Sequence, residues 1–143
     1  MSSRPWLVNY PQGAPHDLGP LEFGHIGQMV SAAARKYGAR IAFENFGKGL
    51  TFEDLEHRSR EFAAYLQSVL KLPRGARVAI MMPNVLQYPI CIFGALRAGY
   101  VVVNVNPLYT PRELEHQLKD SGADVIVILE NFAVTLEQVL TRT

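Results

Sequence analysis

The chain has 143 residues, of which 48% are hydrophobic and 19% are charged, a composition that fits one globular domain and excludes intrinsic disorder. The formal net charge is +1 and the basic residues are scattered, so the sequence offers no electrostatic footprint for nucleic acid. Cys91 is the single cysteine and allows no internal disulfide. Because it lies in an apolar run, it is predicted to be a buried, unreactive side chain.

Residues 1–24 are predicted to form an extended arm, followed by one α/β unit over residues 25–143. Prolines and glycines interrupt the arm, and it contains no apolar stretch of the kind that defines a signal peptide. The arm carries Trp6 and Tyr10, and we expect these aromatic side chains to pack against the domain or against a partner.

The first elements after the arm are predicted to be a helix and a hairpin. Apolar periodicity indicates a helix over Ile26–Tyr37, ended by Gly38 in a left-handed position. A strand over Ile41–Phe46 is followed by a turn at Gly47–Gly49. The segment Leu50–Phe52 is expected to return as the second arm of the hairpin.

Capping signals predict where a second helix begins. Thr51 and Asp54 have the spacing of a capping box, and Leu50 and Leu55 have the spacing of a hydrophobic staple. Apolar residues follow at helical spacing, so the helix is expected to run to about Leu70; these residues are Leu55, Phe62, Leu66 and Val69.

The opposite face of this second helix is predicted to be solvated. Asp54 with Arg58, and Glu56 with Arg60, are acid–base pairs four residues apart, worth about 0.2–0.5 kcal/mol each on an exposed face. The segment Pro73-Arg74-Gly75 is expected to stop the helix.

A strand–helix unit then occurs three times in succession. The strands are predicted at residues 77–82, 100–105 and 124–129, and the helices at residues 84–98, at residues 111–121 and from about Phe132. The strands are apolar on both faces, which is typical of a buried parallel sheet, and the crossovers are expected to be right-handed. The predicted fold class is therefore α/β, with a parallel βαβαβ unit and flanking helices.

Local signals mark the ends of these helices. Gly99 and Gly122 are placed to end two of them. The run from Thr110 to Glu113 is a capping box with proline at the first helical position. Pro89 predicts an irregular first turn in the helix that starts near Asn84.

The apolar segment Tyr88–Val105 has 18 residues and one charge, Arg97, and therefore has to be tested as a membrane span. An arginine near the centre of a span costs about 2.5–3.5 kcal/mol, and Gly94 and Gly99 dilute the apolar character further. A core helix followed by a core strand is the better interpretation.

Motifs for nucleotides, metals and nucleophiles are weak. The turn Met82–Val85 has no glycine, which argues against a dinucleotide site. Gly47–Thr51 holds a glycine, a lysine and a threonine, but not in the order of a P-loop, and is interpreted as a turn followed by an N-cap.

Glu113, Glu115 and His116 suggest an acid–base cluster, but capping already accounts for Glu113. The histidines and serines lack the spacing of a metal motif or a nucleophile elbow: His16, His25, His57, His116, Ser31, Ser59, Ser68 and Ser121.

The loop Asn104–Thr110 is not fully explained by turn chemistry. It leaves the carboxyl end of a strand that is expected to be central in the sheet, and α/β proteins place ligands there. Two interpretations stay open. The asparagine side chains satisfy backbone groups, which is the favoured one, or the loop lines a substrate cleft.

Two runs resemble the opening core blocks of the adenylate-forming enzymes. Leu50–Leu55, LTFEDL, is similar to the first block, with Phe52 in place of the usual tyrosine. Leu96–Asn104, LRAGYVVVN, is similar to the second block, in which a helix ending in Ala-Gly runs into a buried strand. Within this family the chain resembles the bacterial long-chain fatty acid–CoA ligases over essentially its whole length, most specifically in residues 81–89 and 102–123.

The resemblance implies a role for the chain and a reaction for its parent. The chain would be the N-terminal part of the AMP-binding domain, incomplete as it stands. The parent would use ATP, Mg²⁺ and coenzyme A to convert a long-chain fatty acid into acyl-CoA, AMP and pyrophosphate. The family's phosphate loop has no counterpart in these 143 residues. No catalytic, cofactor-binding or metal-binding residue is therefore assigned, and the chain alone is expected to be inactive.

The resemblance also implies partners and a location. A homodimer contact through the arm would use Trp6 and Tyr10. No nucleic-acid partner and no transmembrane segment are expected, and the parent would be cytoplasmic, with peripheral contact at the inner membrane. Two alternatives stay open: a self-sufficient α/β binding module derived from this family, and a synthetase for a different carboxylic acid.

Overall fold

Five α-helices and five strands follow one another in residues 4–140, the part of the chain that the computed structural model describes. The helices are α1 (Ile26–Tyr37), α2 (Phe52–Ala64), α3 (Gln87–Arg97), α4 (Pro111–Ser121) and α5 (Ala133–Leu140). The strands are β1 (Ile41–Asn45), β2 (Lys48–Thr51), β3 (Arg77–Met81), β4 (Val101–Val105) and β5 (Val125–Ile128). The predicted α/β class is confirmed.

A three-stranded parallel sheet organises the second half of the chain. Its strand order is β4-β3-β5, and β3 pairs in parallel with both neighbours, which confirms the predicted parallel βαβαβ unit. The placement of β4 at the centre of the sheet was wrong, because β4 lies at an edge and β3 is central. Strand order depends on the path of the crossovers, and the apolar pattern of a strand does not encode that path.

Helices cover the sheet on both faces. Successive side chains of a strand point to opposite faces, and residues 78–81 of β3 are all fully buried. Val78 and Ile80 pack in one cluster with side chains of α3 and of the segment after α2. Ala79 and Met81 pack in another cluster with side chains of α4 and α5. The central strand therefore joins the two halves of the core.

The strands β1 and β2 form the predicted antiparallel hairpin. Its turn is Phe46-Gly47, with φ of 48° and 70°, whereas the sequence indicated Gly47–Gly49. Lys48 belongs to β2. The staple residues Leu50 and Leu55 are both buried in one cluster, so the hairpin is packed directly against α2.

Helix α2 begins as predicted, and the helical segment ends near Leu70 as predicted, but its last turn is not α-helical. The capping box of Thr51 and Asp54 is complete on both sides. The α-helix stops at Ala64 and continues as a π-helical turn over Tyr65–Val69, which changes the helical register. Val69 was expected on the apolar face, but its side chain is 62% exposed.

The chain leaves this π turn at a lysine and not at the predicted Pro73–Gly75. Lys71 is left-handed, with φ of 52°. Gly75 is also left-handed, with φ of 84°, but it lies in the loop that leads to β3. The direction of the chain therefore changes before the proline is reached.

Three other helix boundaries follow the predicted local signals, and one does not. Gly99 and Gly122 adopt φ of 85° and 59° at the ends of α3 and α4, and the capping box of Thr110 and Glu113 is complete. Gly38 is not left-handed, since its φ is −3°, and its N–H bonds the carbonyl of the residue four positions earlier at 2.9 Å.

Helix α3 starts at Gln87, three residues later than predicted. Residues 84–86 are a loop, and Pro89 is the third residue of the helix. A proline in the first turn removes an N–H that has no partner within the helix, so Pro89 fits there without breaking the helix.

The N-terminal arm is only partly extended. Pro5–Asn9 forms a short 3₁₀ helix with no buried residue. Tyr10 meets His16 edge to face, and Arg4 pairs with Asp17. Trp6 and Tyr10 are 52% and 42% exposed, so a large part of each side chain stays accessible.

Candidate functional site at the carboxyl edge of the sheet

A cleft of about 450 Å³ opens at the carboxyl ends of β3 and β4. Parallel strands end at the same edge of a sheet, so the loops after both strands meet there. The cleft is lined by Met82, Pro83, Asn84, Tyr88, Asn104, Val105, Asn106, Pro107 and Tyr109. The lining consists of amide, aromatic, aliphatic and proline side chains, so it offers hydrogen bonding and shape but no carboxylate or cationic group.

Hydrogen bonds hold the wall of this cleft. The Tyr88 hydroxyl donates to Asn104 Oδ1 at 2.8 Å, and Gln117 Nε2 of α4 donates to the Asn104 carbonyl at 2.9 Å. Asn106 Oδ1 accepts from the N–H of Leu108 at 3.0 Å. The side chain of Asn106 therefore satisfies a backbone group, as the favoured interpretation of the loop predicted. The loop also lines a cleft, and the interpretation that this cleft binds a substrate stays a prediction.

An apolar cavity of about 360 Å³ lies next to the cleft, between the hairpin and α3. Phe43, Val85, Leu86, Pro89, Ile92 and Phe93 form most of its wall, with Glu44 and Asn45 beside them. Asn84 and Tyr88 line both spaces. Asn45 Nδ2 donates to the Asn84 carbonyl at 2.9 Å, which fixes the end of the hairpin to the rim of the cleft.

A partly buried ionic cluster joins α2 to α3, and it was missed from the sequence. Both oxygens of Glu56 accept hydrogen bonds from the Arg97 guanidinium. Glu56 Oε1 also accepts from Arg60 Nε at 2.6 Å and from the Ser31 hydroxyl at 2.8 Å. The side chains of Glu56 and Arg97 are 17% and 11% exposed. The prediction of a solvated Glu56–Arg60 pair was therefore wrong.

The cluster changes the acidity of Glu56. Burial by itself would raise the pKa of this carboxyl group, but the hydrogen bonds from Arg97, Arg60 and Ser31 outweigh burial and lower the pKa to about 2. One sequence signal pointed to such a partner. Arg97 is the single charge in an apolar segment of 18 residues, and a buried charge needs a carboxylate.

A cavity of about 500 Å³ opens beside this cluster, between α1, α2 and α3. Arg35, Arg60 and Arg97 contribute to its wall, together with the polar side chains of His25 and Gln28. Arg60 and Arg97 share one carboxylate, Glu56, so these three side chains together keep a net charge of +1.

The remaining candidate residues have structural roles. Cys91 is buried, as predicted, and burial raises the pKa of its thiol to about 11. His57 pairs with Glu61 at 3.2 Å on an exposed face. Glu113 bonds the N–H and the hydroxyl of Thr110, and these bonds lower the pKa of its carboxyl group. The Glu113–His116 group is therefore a helix cap and not an acid–base pair.

The described part of the chain contains no group of three or more His, Cys, Asp or Glu side chains placed to hold a metal ion. Nor does this part contain a helix of the length and apolar character that crossing a bilayer requires.

The fold and the cleft define an α/β segment that presents a ligand-sized space at the carboxyl edge of a parallel sheet. The sequence model of the AMP-binding enzyme family matches residues 30–142. The chain belongs to this family.

Known proteins share both the sequence and the fold. The long-chain-fatty-acid–CoA ligase of Yersinia pestis is 58% identical over 96% of this chain and 25% of that protein. The crystal structure of a benzoate CoA ligase from Burkholderia xenovorans LB400 has the same fold, with a TM-score of 0.79 at 24% identity over 85% of this chain and 24% of that chain. The Mycobacterium tuberculosis fatty acyl CoA synthetase matches with a TM-score of 0.74 at 25% identity, over 79% of this chain and 23% of that chain. The chain spans about a quarter of the length of the curated relatives that it matches.

Proposed function

We propose that this chain is the N-terminal part of the AMP-binding domain of an ATP-dependent long-chain fatty acid–CoA ligase. The parent would join a fatty acid to coenzyme A, with release of AMP and pyrophosphate. The observation that carries the proposal is the 58% identity to the Yersinia pestis ligase over 96% of this chain. The position of the cleft supports it, because the carboxyl edge of a parallel sheet is where α/β enzymes bind their substrates.

The parent reaction requires ATP, Mg²⁺ and coenzyme A, and the residues of this chain do not by themselves fit the metal or the triphosphate. Residues 4–140 hold no cluster of metal-ligating side chains, and the sequence has no glycine-rich phosphate loop. We therefore derive no step through either group from these residues.

The contribution of this chain to the parent is a rigid wall. Tyr88 and Gln117 hold Asn104 from two different helices, and Asn106 fixes the loop that follows β4. A wall held in this way keeps its shape when a ligand binds, so less binding energy is spent on ordering it. The residues that carry out the chemistry would belong to other parts of the parent.

The test is a transplant of this chain into an active relative. Residues 1–143 would replace the matching quarter of the Yersinia pestis ligase, and acyl-CoA formation would be measured with a long-chain fatty acid, ATP, Mg²⁺ and coenzyme A. We expect the chimera to be active and the isolated chain to show no turnover. A folded chimera without activity, or turnover by the isolated chain, would overturn the proposal.

A matched variant tests the wall itself. Tyr88→Phe in the chimera removes one hydroxyl and its bond to Asn104 while keeping the ring in place. We expect kcat/KM to fall about two- to tenfold. This corresponds to about 0.5–1.5 kcal/mol of transition-state stabilisation, the typical net contribution of one hydrogen bond. Tyr65→Phe is the control, because Tyr65 is 47% exposed and lies outside the cleft. Equal effects of the two variants on kcat/KM would mean that activity does not depend on the bond between Tyr88 and Asn104.

We propose in addition that the arm forms a homodimer contact through Trp6 and Tyr10. Their exposure of 52% and 42% leaves both rings available to a second copy, and aromatic side chains are enriched at interfaces. Sedimentation velocity of the chain and of its Trp6→Ala/Tyr10→Ala variant tests this contact. Loss of a dimer is expected in the variant, and an unchanged distribution of species would refute the contact.

The proposed location follows from the proposed substrate. The parent would act in the cytoplasm, with peripheral contact at the inner membrane, because long-chain fatty acids partition into bilayers. Fractionation of cells that express the parent would test this location.

A further inference from the structure

The folding of the chain does not explain why a phenylalanine occupies position 46, at the tip of the hairpin. It is the first of the two turn residues and adopts φ of 48°, in the left-handed region. Bulky residues are disfavoured there, and turns of this type prefer asparagine, aspartate or glycine. The side chain gains no burial in return, since it is 92% exposed. A strained backbone that carries an exposed aromatic ring is a reason to look for a function.

The tip lies beside the candidate site. Asn45, the residue before Phe46, donates to the Asn84 carbonyl at 2.9 Å, and Asn84 lines the cleft at the carboxyl edge. Lys48 is paired with Asn45 in the strand register and is exposed. The tip therefore presents one aromatic ring and one nearby ammonium group at the end of the molecule where the cleft opens.

We propose that the hairpin tip, Phe46 to Lys48, inserts into the headgroup region of an anionic bilayer. The phenyl ring of Phe46 enters the boundary of the acyl chains, and the Lys48 ammonium group meets lipid phosphates. The inference rests on the proposed function for its purpose, since a ligase for long-chain fatty acids would collect them from a bilayer. The structural evidence for the inference comes from the hairpin alone.

The shape of the tip favours a bilayer over a protein partner. A stable protein interface buries about 800 Å² on each side around a central cluster of anchors. The tip has one large apolar side chain, flanked by Gly47 and Gly49, and cannot supply such a cluster. A single ring with a single cation suits weak, reversible contact with lipid, and a second anchor elsewhere in the parent would be needed for tight binding.

The experiment is co-sedimentation of the 143-residue chain with vesicles of phosphatidylethanolamine and phosphatidylglycerol. The wild-type chain is expected to bind, and Phe46→Asn is expected to bind about tenfold more weakly, since the loss of one buried apolar side chain has that magnitude. The same variant should raise Tm by about 2–4 °C, because asparagine suits a left-handed turn position. A purely structural role for Phe46 predicts a lower Tm.

Two further variants sharpen the test. Leu18→Asn removes an equally exposed apolar side chain, 91% exposed on the arm, and should leave vesicle binding unchanged. Lys48→Gln should weaken binding to vesicles that contain phosphatidylglycerol, and should leave binding to pure phosphatidylcholine vesicles unchanged. In a Trp6→Phe background, Phe46→Trp should show a blue-shifted emission when vesicles are added.

The outcomes separate the two proposals. The membrane inference is overturned if the wild-type chain ignores vesicles, if Phe46→Asn binds as the wild type does, or if Leu18→Asn weakens binding as much. It is also overturned if Phe46→Asn abolishes self-association and leaves vesicle binding intact, since the tip would then contact protein. An active chimera with a chain that ignores vesicles refutes this inference alone. Tip-dependent vesicle binding with an inactive chimera refutes the ligase proposal alone.

Discussion

At the scale of single residues, the Glu56 carboxylate decides whether an arginine can be buried between α2 and α3. Arg97 lies on an otherwise apolar helix and is 11% exposed at its side chain. Removing such a charge from water costs several kcal/mol unless a partner is provided. Glu56 provides that partner with both of its oxygens. Arg60 and Ser31 satisfy the carboxylate further, so each buried charge has an opposite charge in contact.

The variant Glu56→Gln should destabilise the chain by about 2–3 kcal/mol. Breaking a fully buried pair costs about 3–5 kcal/mol, and the partial solvent access of this cluster reduces that figure. Urea denaturation measures the change. Glu61→Gln is the matched control, because Glu61 is 65% exposed in a surface pair with His57 and should change stability by less than about 0.5 kcal/mol. Equal effects would show that the Arg97 contact contributes nothing.

Stability should fall in acid because of the same carboxylate. The pKa of Glu56 is lowered from 4.5 to about 2 in the folded chain, so folding favours the ionised form. This contribution is fully present above the unfolded value of 4.5 and is lost as the pH falls through about 2. Hydrogen bonds from Thr51 and Thr110 also lower the pKa values of Asp54 and Glu113, so these carboxylates contribute to the same loss of stability in acid. The difference in unfolding free energy between the wild type and Glu56→Gln isolates Glu56, and it should shrink towards zero across this window. A difference that stays constant would contradict the assignment.

At the scale of elements, the sequence predicted where helices begin and end better than it predicted which elements lie in contact. Helices α1 and α4 have the predicted bounds, because apolar spacing and capping signals are local. The Glu56–Arg97 contact joins residues 41 positions apart, and the edge position of β4 depends on how crossovers run. Neither of these follows from local pattern. The same limit applies to the cleft, where the loop after β4 was recognised but its partners Tyr88 and Gln117 were not.

The close approach of α2 and α3 can be tested at Gly94. A methyl group added there would lie 2.7 Å from Phe62 Cδ1 and 2.9 Å from the Ser59 carbonyl oxygen. Because a backbone oxygen cannot move aside without moving α2, Gly94→Ala should destabilise by about 1–3 kcal/mol. Thermal unfolding measures the loss. Gly19→Ala is the control, since nothing lies within 4 Å of its added carbon. If Gly94→Ala is as stable as the control, the two helices are not in tight contact.

At the scale of the whole molecule, the parallel sheet has strands with open sides. In the order β4-β3-β5, both β4 and β5 pair with β3 alone among the described strands. An unpaired strand edge exposes backbone N–H and C=O groups that can pair with another chain. Val101, the first residue of β4, is 49% exposed, and β5 has no fully buried residue. The isolated chain therefore carries two surfaces suited to further strand pairing.

We expect the isolated chain to self-associate through these edges, and a charge on β4 to prevent it. Val101→Lys places a cation on the edge strand, where every incoming copy would bring the same charge, and lysine on an edge is a common means of blocking pairing. Light scattering over a dilution series should show species larger than a dimer in the wild type, and nothing larger than the arm-mediated dimer in the variant. Val134→Lys is the control, because Val134 is 64% exposed on α5 and lies off the sheet, so it should associate as the wild type does. A wild-type chain that stays monomeric at every concentration would mean that the edges are protected, and it would favour the self-sufficient module over a part of a larger domain.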